Sequence, residues 1–148
     1  MGRRYSVYGT DTNTASTTQI EVRSTTAIRP RIYDLIFSSN ATPADNSGEY
    51  AFRRTTTAGT STSFTPVAID PGDPASTATA GVNHSAEPTY TANSDLLHFA
   101  TNQRATFRWV AAPMGELVLP AAANGVGCLA VAVGGSAVAM QYQLWFEE

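Results

Sequence analysis

The chain has 148 residues, enough for one domain with a buried hydrophobic core, and carries a formal charge of −3 with 14% charged residues, against roughly 25% in ordinary soluble domains. That charge gives no electrostatic reason for a nucleic-acid or membrane partner. All nine basic residues are Arg, which removes Schiff-base and P-loop lysine chemistry; the single cysteine, Cys128, removes an internal disulfide and a cysteine metal cluster.

In chain order the pattern is that of strands. RYSVYG opens the chain, and QIEVRSTTAI sets Ile20, Val22 and Ile28 against Gln19, Glu21 and Arg23. RIYDLIFS follows. EYAFRR then groups Tyr50 with Phe52, opposite Glu49 and Arg53. Residues 55–63, TTTAGTSTS, read as a flexible hairpin tip or an exposed strand pair, and FTPVAI is a further short strand. LLHFA, RATFRWVA (Ala105, Phe107 and Trp109 on one face), ELVLP and GCLAVAV continue the series. The last segment is the clearest, with Val138, Met140, Tyr142, Leu144 and Phe146 on one face and Gln141 and Gln143 on the other. About nine or ten strands punctuated by Gly, Pro, Asn and Asp predict an all-β chain, an antiparallel jelly-roll-like β-sandwich forming one domain over residues 1–148.

Two segments stand outside the pattern. Residues 1–18 form an N-terminal strand or arm able to pair outside its own sheet, because chain ends are readily exchanged between neighbours. Residues 70–95, beginning DPGDPASTATAGVNHSAEPTYTA, are the longest stretch without a strand pattern and predict a long extended loop that serves as a contact arm.

That loop also carries reactive side chains. Asp70, Asp73, His84 and Glu87 are metal-binding types, but Asp-Pro-Gly-Asp-Pro is a strong turn sequence and His84 has no second His or Cys at ligand spacing. His98 lies inside LLHFA as a strand histidine. Gly134-Gly135-Ser136-Ala137-Val138 fails the nucleophile-elbow pattern at its last position. Gly125-Val126-Gly127-Cys128-Leu129-Ala130 matches a dinucleotide fingerprint by spelling only, since no helical segment follows, and reads as a turn into a buried strand. The expectation is therefore no catalytic residue, no metal and no cofactor. The aromatics Tyr5, Tyr8, Tyr33, Trp109 and Trp145 could form a sugar-stacking platform, although most large aromatics in a small sandwich are core. Arg3, Arg4, Tyr5, Tyr8, Arg53, Arg54, Asp70, Asp73, His84, Glu87 and Tyr90 are the candidate interface residues, Arg pairs and aromatics being favoured where proteins meet.

Taken together, YSVYGTDTNTASTT, RIYDLIFSSNATPADN, EYAFRRTTTAGT, TPVAIDPGDPASTATAGVNHSAEPTYTA and NQRATFRWVAAPMGELVLPAAANG resemble small structural proteins of tailed bacteriophages, over most of the chain. Small all-β phage proteins of this size are often capsid decoration, or cement, proteins. The resemblance implies a virion protein on the capsid surface, made in the host cytoplasm, that binds the phage major capsid protein. It also implies a homo-oligomer, a trimer being favoured, that stabilises contacts between capsid subunits. The alternatives are a host-glycan-binding head-fibre or tail module, or another minor virion component.

Overall fold

The computed structural model describes residues 2–148, and among them every regular element is a strand. The strands are β1 (Arg4–Thr12), β2 (Thr18–Arg23), β3 (Arg31–Ser39), β4 (Ser47–Thr57), β5 (Thr60–Phe64) and β6 (Val67–Ala68). They continue with β7 (Thr79–Ala86), β8 (Thr89–Asn102), β9 (Phe107–Val110), β10 (Leu117–Val118), β11 (Gly125–Val133) and β12 (Ala139–Glu147). Two antiparallel sheets of six strands pack face to face. One, sheet A, has the order β10-β3-β12-β1-β6, with β9 also on β3; the other, sheet B, has the order β5-β7-β2-β11-β4-β8.

The alternation read from the sequence sets the core. Tyr5, Val7, Ile32, Leu35, Phe37, Met140, Tyr142, Leu144 and Phe146 of sheet A meet Ile20, Val22, Tyr50, Phe52, Val126, Cys128 and Ala130 of sheet B in one buried cluster. Phe37 lies edge-on to Tyr50, with ring centroids 4.4 Å apart. Polar atoms inside this layer are paired: Tyr142 donates to Gln19 Oε1 at 2.5 Å, and Asn13 donates to Tyr50 Oη at 2.8 Å. Burial pushes the Cys128 thiol far above its ordinary range, so it packs as an inert apolar group.

The pairings are nested. β1 pairs β12, β2 pairs β11, β3 pairs β9 and β10, and β4 pairs β8. A further pair, β5 with β7, is inserted at the innermost position. Only residues 58–59 join β4 to β5, and only residues 87–88 join β7 to β8. In a flat sheet of this order each link would cross four strand spacings, about 19 Å, whereas three Cα steps reach at most about 11 Å. The sheet therefore cannot be flat. β4–β5 and β8–β7 run as one antiparallel ribbon that arches over the outer face of sheet B from one side to the other. Register shifts at Arg53, Thr55 and Thr60, and left-handed backbone at Asn83 and Asn93 (φ 51° and 53°), supply the bend.

This architecture corrects the reading of residues 70–95 as a loose arm. Residues 79–86 and 89–102 are strands, with Ala78, Ala80 and Val82 in the core. Their small, polar spelling hid the pattern, because small residues suffice where a second strand layer lies on top. The remaining loop, residues 70–78, is tied to its own domain. Tyr5 Oη donates to Pro74 O at 3.1 Å, and the Glu148 carboxylate accepts from Ser76 Oγ (2.5 Å), Thr77 N (3.2 Å) and Ala78 N (2.9 Å). The expected N-terminal strand is β1, and it pairs within its own sheet, residue for residue with β12 from Arg4↔Glu147 to Thr12↔Ala139.

Deleting residues 74–90 would remove β7 from beside β2. We expect that variant to lose cooperative thermal unfolding by circular dichroism; a melt like that of the full chain would show the arch to be dispensable.

Candidate functional site

The arch roofs a polar cluster on the outer face of sheet B. Glu21 and Arg23 alternate with the core residues Ile20 and Val22, so they face outward, as the sequence implies. Both strands beside Glu21 carry glycine opposite it, Gly81 on β7 and Gly127 on β11. A Cβ on Gly127 would stand 2.5 Å from Tyr90 Oη, and one on Gly81 would stand 2.0 Å from Ser61 Oγ. Those two glycines make room for the roof.

Under the roof, Arg23 Nε donates to Glu21 Oε2 at 2.7 Å, and its Nη2 donates to Gly59 O (3.1 Å) and Ser61 Oγ (2.8 Å) at the crown of the arch. His84 Nε2 lies 3.5 Å from the same Glu21 oxygen. The side chains of Glu21 and His84 are 0% exposed, and Glu21 Oε1 and His84 Nδ1 have no hydrogen-bond partner. Burial pushes the Glu21 carboxyl up, but His84 and Arg23 together outweigh that and hold it below its ordinary value. Beside them Tyr90 Oη meets Thr18 Oγ1 at 2.7 Å, and burial drives the Tyr90 hydroxyl far up. Glu87 Oε2 accepts from Thr18 N at 2.7 Å. With the Glu21 and His84 side chains closed to solvent, the cluster bonds the arch to β2. A reaction on a dissolved substrate would require the ribbon to lift.

Of the nominated residues the structure thus brings together His84, Glu87 and Tyr90, and gives them structural contacts. At the rim His84, Glu87, Asp11 and Asn83 border an open groove of about 380 Å³ with Thr12, Thr14 and Thr17. Asp11 spends both oxygens on backbone, accepting from Thr12 N (2.7 Å) and Asn83 N (3.0 Å), and burial raises its carboxyl. Arg3, Arg4, Asp70 and Asp73 gather at the other end, where Arg3 Nε lies 4.0 Å from Asp73. Arg53 pairs with Asp95, which it holds below the ordinary carboxylate range, and Arg54 is exposed. Tyr5 is fully buried against Phe146, so it leaves the interface list as a core residue. Among the described residues no group of three His, Cys, Asp or Glu side chains is placed to hold a metal ion.

Sheet A has no roof, and its outward residues form a grid. One row across the strands runs Val118, Arg31, Glu147, Arg4, Ile69; the next runs Val110, Asp34, Trp145, Ser6, Val67; the third runs Arg108, Ile36, Gln143, Tyr8. Four of the molecule's exposed large hydrophobics, Tyr8 (58%), Val67 (67%), Ile69 (51%) and Val110 (57%), lie on this grid; Met114 (96%) borders a cavity at its margin. Arg108 closes bidentately on Asp34 (2.7 and 3.1 Å). The two outer faces therefore differ in kind. One is sealed by its own chain, the other is open.

Replacing Glu21 by Gln should destabilise the fold by about 3 kcal/mol, because Arg23 and His84 lose the charge they surround. The folded-state pKa lies below the ordinary glutamate value of 4.5, so this stabilisation is present above pH 4.5 and is lost as pH falls through the folded value. Chemical denaturation across the acid range should show wild-type stability falling faster than that of Glu21→Gln. Parallel curves would show that Glu21 is not the linked group.

Comparison of the chain with protein-family models, with curated proteins and with solved structures found no match, so the reading of these two faces rests on their geometry.

Proposed function

We propose that the chain is a structural component of a tailed-phage virion, a jelly-roll subunit that decorates the capsid exterior and works by contact. The nested pairing supports the jelly-roll assignment: first strand with last, second with second-to-last, third with β9 and β10, and fourth with β8 is the order expected of two Greek keys wrapped into a sandwich. That architecture is frequent in viral shells but hosts many functions, so the site must carry the argument.

The observation that carries it is the free edge of β8. This strand ends sheet B and is 14 residues long. Gln103 N donates to Asn46 O at 2.8 Å in the register that pairs Thr101 with Gly48 and Phe99 with Tyr50. In an antiparallel ladder the bonding alternates, so the peptide groups of His98, Ala100 and Asn102 point away from β4. A long edge with outward donors and acceptors is a template for a strand from another chain. We assign it to a neighbouring copy, in a trimer, or to the phage major capsid protein. Main-chain pairing would be reinforced by buried area, and each subunit would bridge its neighbours against internal pressure.

Ala100→Pro tests this edge. It removes one outward donor, leaves the β4 ladder intact, and should cost under about 1 kcal/mol of stability. In purified particles we expect the wild-type chain at a fixed copy number per capsid, seen on the head by electron microscopy, and Ala100→Pro folded but absent or monomeric. Absence of the wild-type chain from particles would overturn the virion assignment; density on the tail would favour another minor virion component; normal decoration by Ala100→Pro would overturn the role of β8.

A further inference from the structure

We infer that the open outer face of sheet A binds a neutral saccharide chain along a diagonal of three aromatic rings, Tyr8, Trp145 and Tyr33. This goes beyond the assembly reading and concerns a different surface from the β8 edge.

The three residues lie on adjacent strands. Tyr8 on β1 pairs with Gln143, and Trp145, two residues further along β12, pairs with Asp34, next to Tyr33 on β3. Each step crosses one strand and at most two residues, which separates neighbouring side chains by about 8 Å. The register between β12 and β3 slips at this place, so that Tyr33 is an extra residue facing no partner of its own. Bulges of this kind re-aim a side chain, and here Ile32 stays in the core while Tyr33 turns outward beneath the Arg4 guanidinium, 6.0 Å from the ring centroid. All three aromatics lie outside the buried core cluster and its packed margin, unlike Tyr5, which is in the cluster, and Trp109, which packs against it. Among the described residues Trp145 stacks on no other aromatic ring, Tyr33 carries Arg4 over one face only, and Tyr8 meets Phe64 in a tilted contact at 6.1 Å that leaves its side chain exposed.

The surroundings select the ligand. Beside Tyr8 and Trp145 stand the neutral donors and acceptors Gln143 and Ser6, the ion pair Arg108–Asp34 closes on itself, and around Tyr33 the charges of Arg4 and Arg31 are offset by those of Glu116 and Glu147. The exposed aliphatic side chains Val67, Ile69 and Val110 lie at the margins, whereas a protein partner would want its apolar anchors at the centre. An open face with aromatic rings in a diagonal line and an amide and a hydroxyl beside them matches a ligand with apolar C–H faces and hydroxyls around its rim. That is a chain of pyranose rings without charge.

The test is native gel electrophoresis of the full chain through gels containing dextran, mannan or galactomannan, with alginate as the acidic control. We expect retardation by at least one neutral polysaccharide and not by alginate. Trp145→Ala and Tyr8→Ala should each weaken it about tenfold at unchanged melting temperature, the loss of one stacking contact, and Ala100→Pro should bind normally. The inference is overturned if no neutral polysaccharide retards the wild-type chain, or if Trp145→Ala binds as well as wild type. It is also overturned if sedimentation shows wild type self-associating and Trp145→Ala monomeric, which would make a second copy the occupant of this face.

Discussion

The ion pair between Glu21, whose side chain is sealed from water, and the partly exposed Arg23 is the constraint on which sheet B depends. An isolated carboxylate at that depth would be strongly unfavourable, and only the guanidinium and the imidazole beside it make its burial tolerable. Arg23 also reaches the crown of the arch, so the charge pair and the roof require one another. Glycine at both cross-strand positions follows from the same need, since any side chain at Gly81 or Gly127 would hold the ribbon off the sheet.

Roofing one face leaves the sandwich asymmetric. Sheet B satisfies its outer surface internally and leaves an edge, whereas sheet A turns aromatic rings, charged side chains of both signs and marginal aliphatics to the solvent. A symmetric sandwich would spread exposed hydrophobics over both faces. Here Tyr8, Val67, Ile69 and Val110 fall on one. The β8 edge and the outer face of sheet A do not overlap, so the two proposed contacts are compatible with each other.

The strands with large alternating side chains were legible in the sequence. β12 is the plainest, its Met140-Tyr142-Leu144-Phe146 face being the face that is buried. β7 was not legible, because TAGVNHSA places glycine and alanine where the arch and the core both press close, and periodicity is weak when the buried side chains are small. Glu21 and Arg23 were read correctly as outward and yet are covered, since nothing local announces a roof contributed by residues 36 to 69 positions further on. Similarly, Tyr5 and Tyr8 are three residues apart in one strand; alternation separates them into core and surface, a distinction that composition alone leaves open.

The nested pairing has a consequence for the order of events during synthesis. β11 lies between β2 and β4, and β12 lies between β1 and β3, so the centre of each sheet is filled by one of the last two strands in chain order. Until residues 125–147 leave the ribosome, the ladders already possible, such as β4 with β8, β5 with β7 and β3 with β9, have no central strand to join them into sheets, and their apolar faces wait uncovered. Such long-range closure makes folding slow, with exposed strand edges in the interim. The Thr- and Ser-rich spelling of β4, β5 and β7, which weakened the strand signal, also lowers the hydrophobicity of those waiting edges and guards the nascent chain against aggregation.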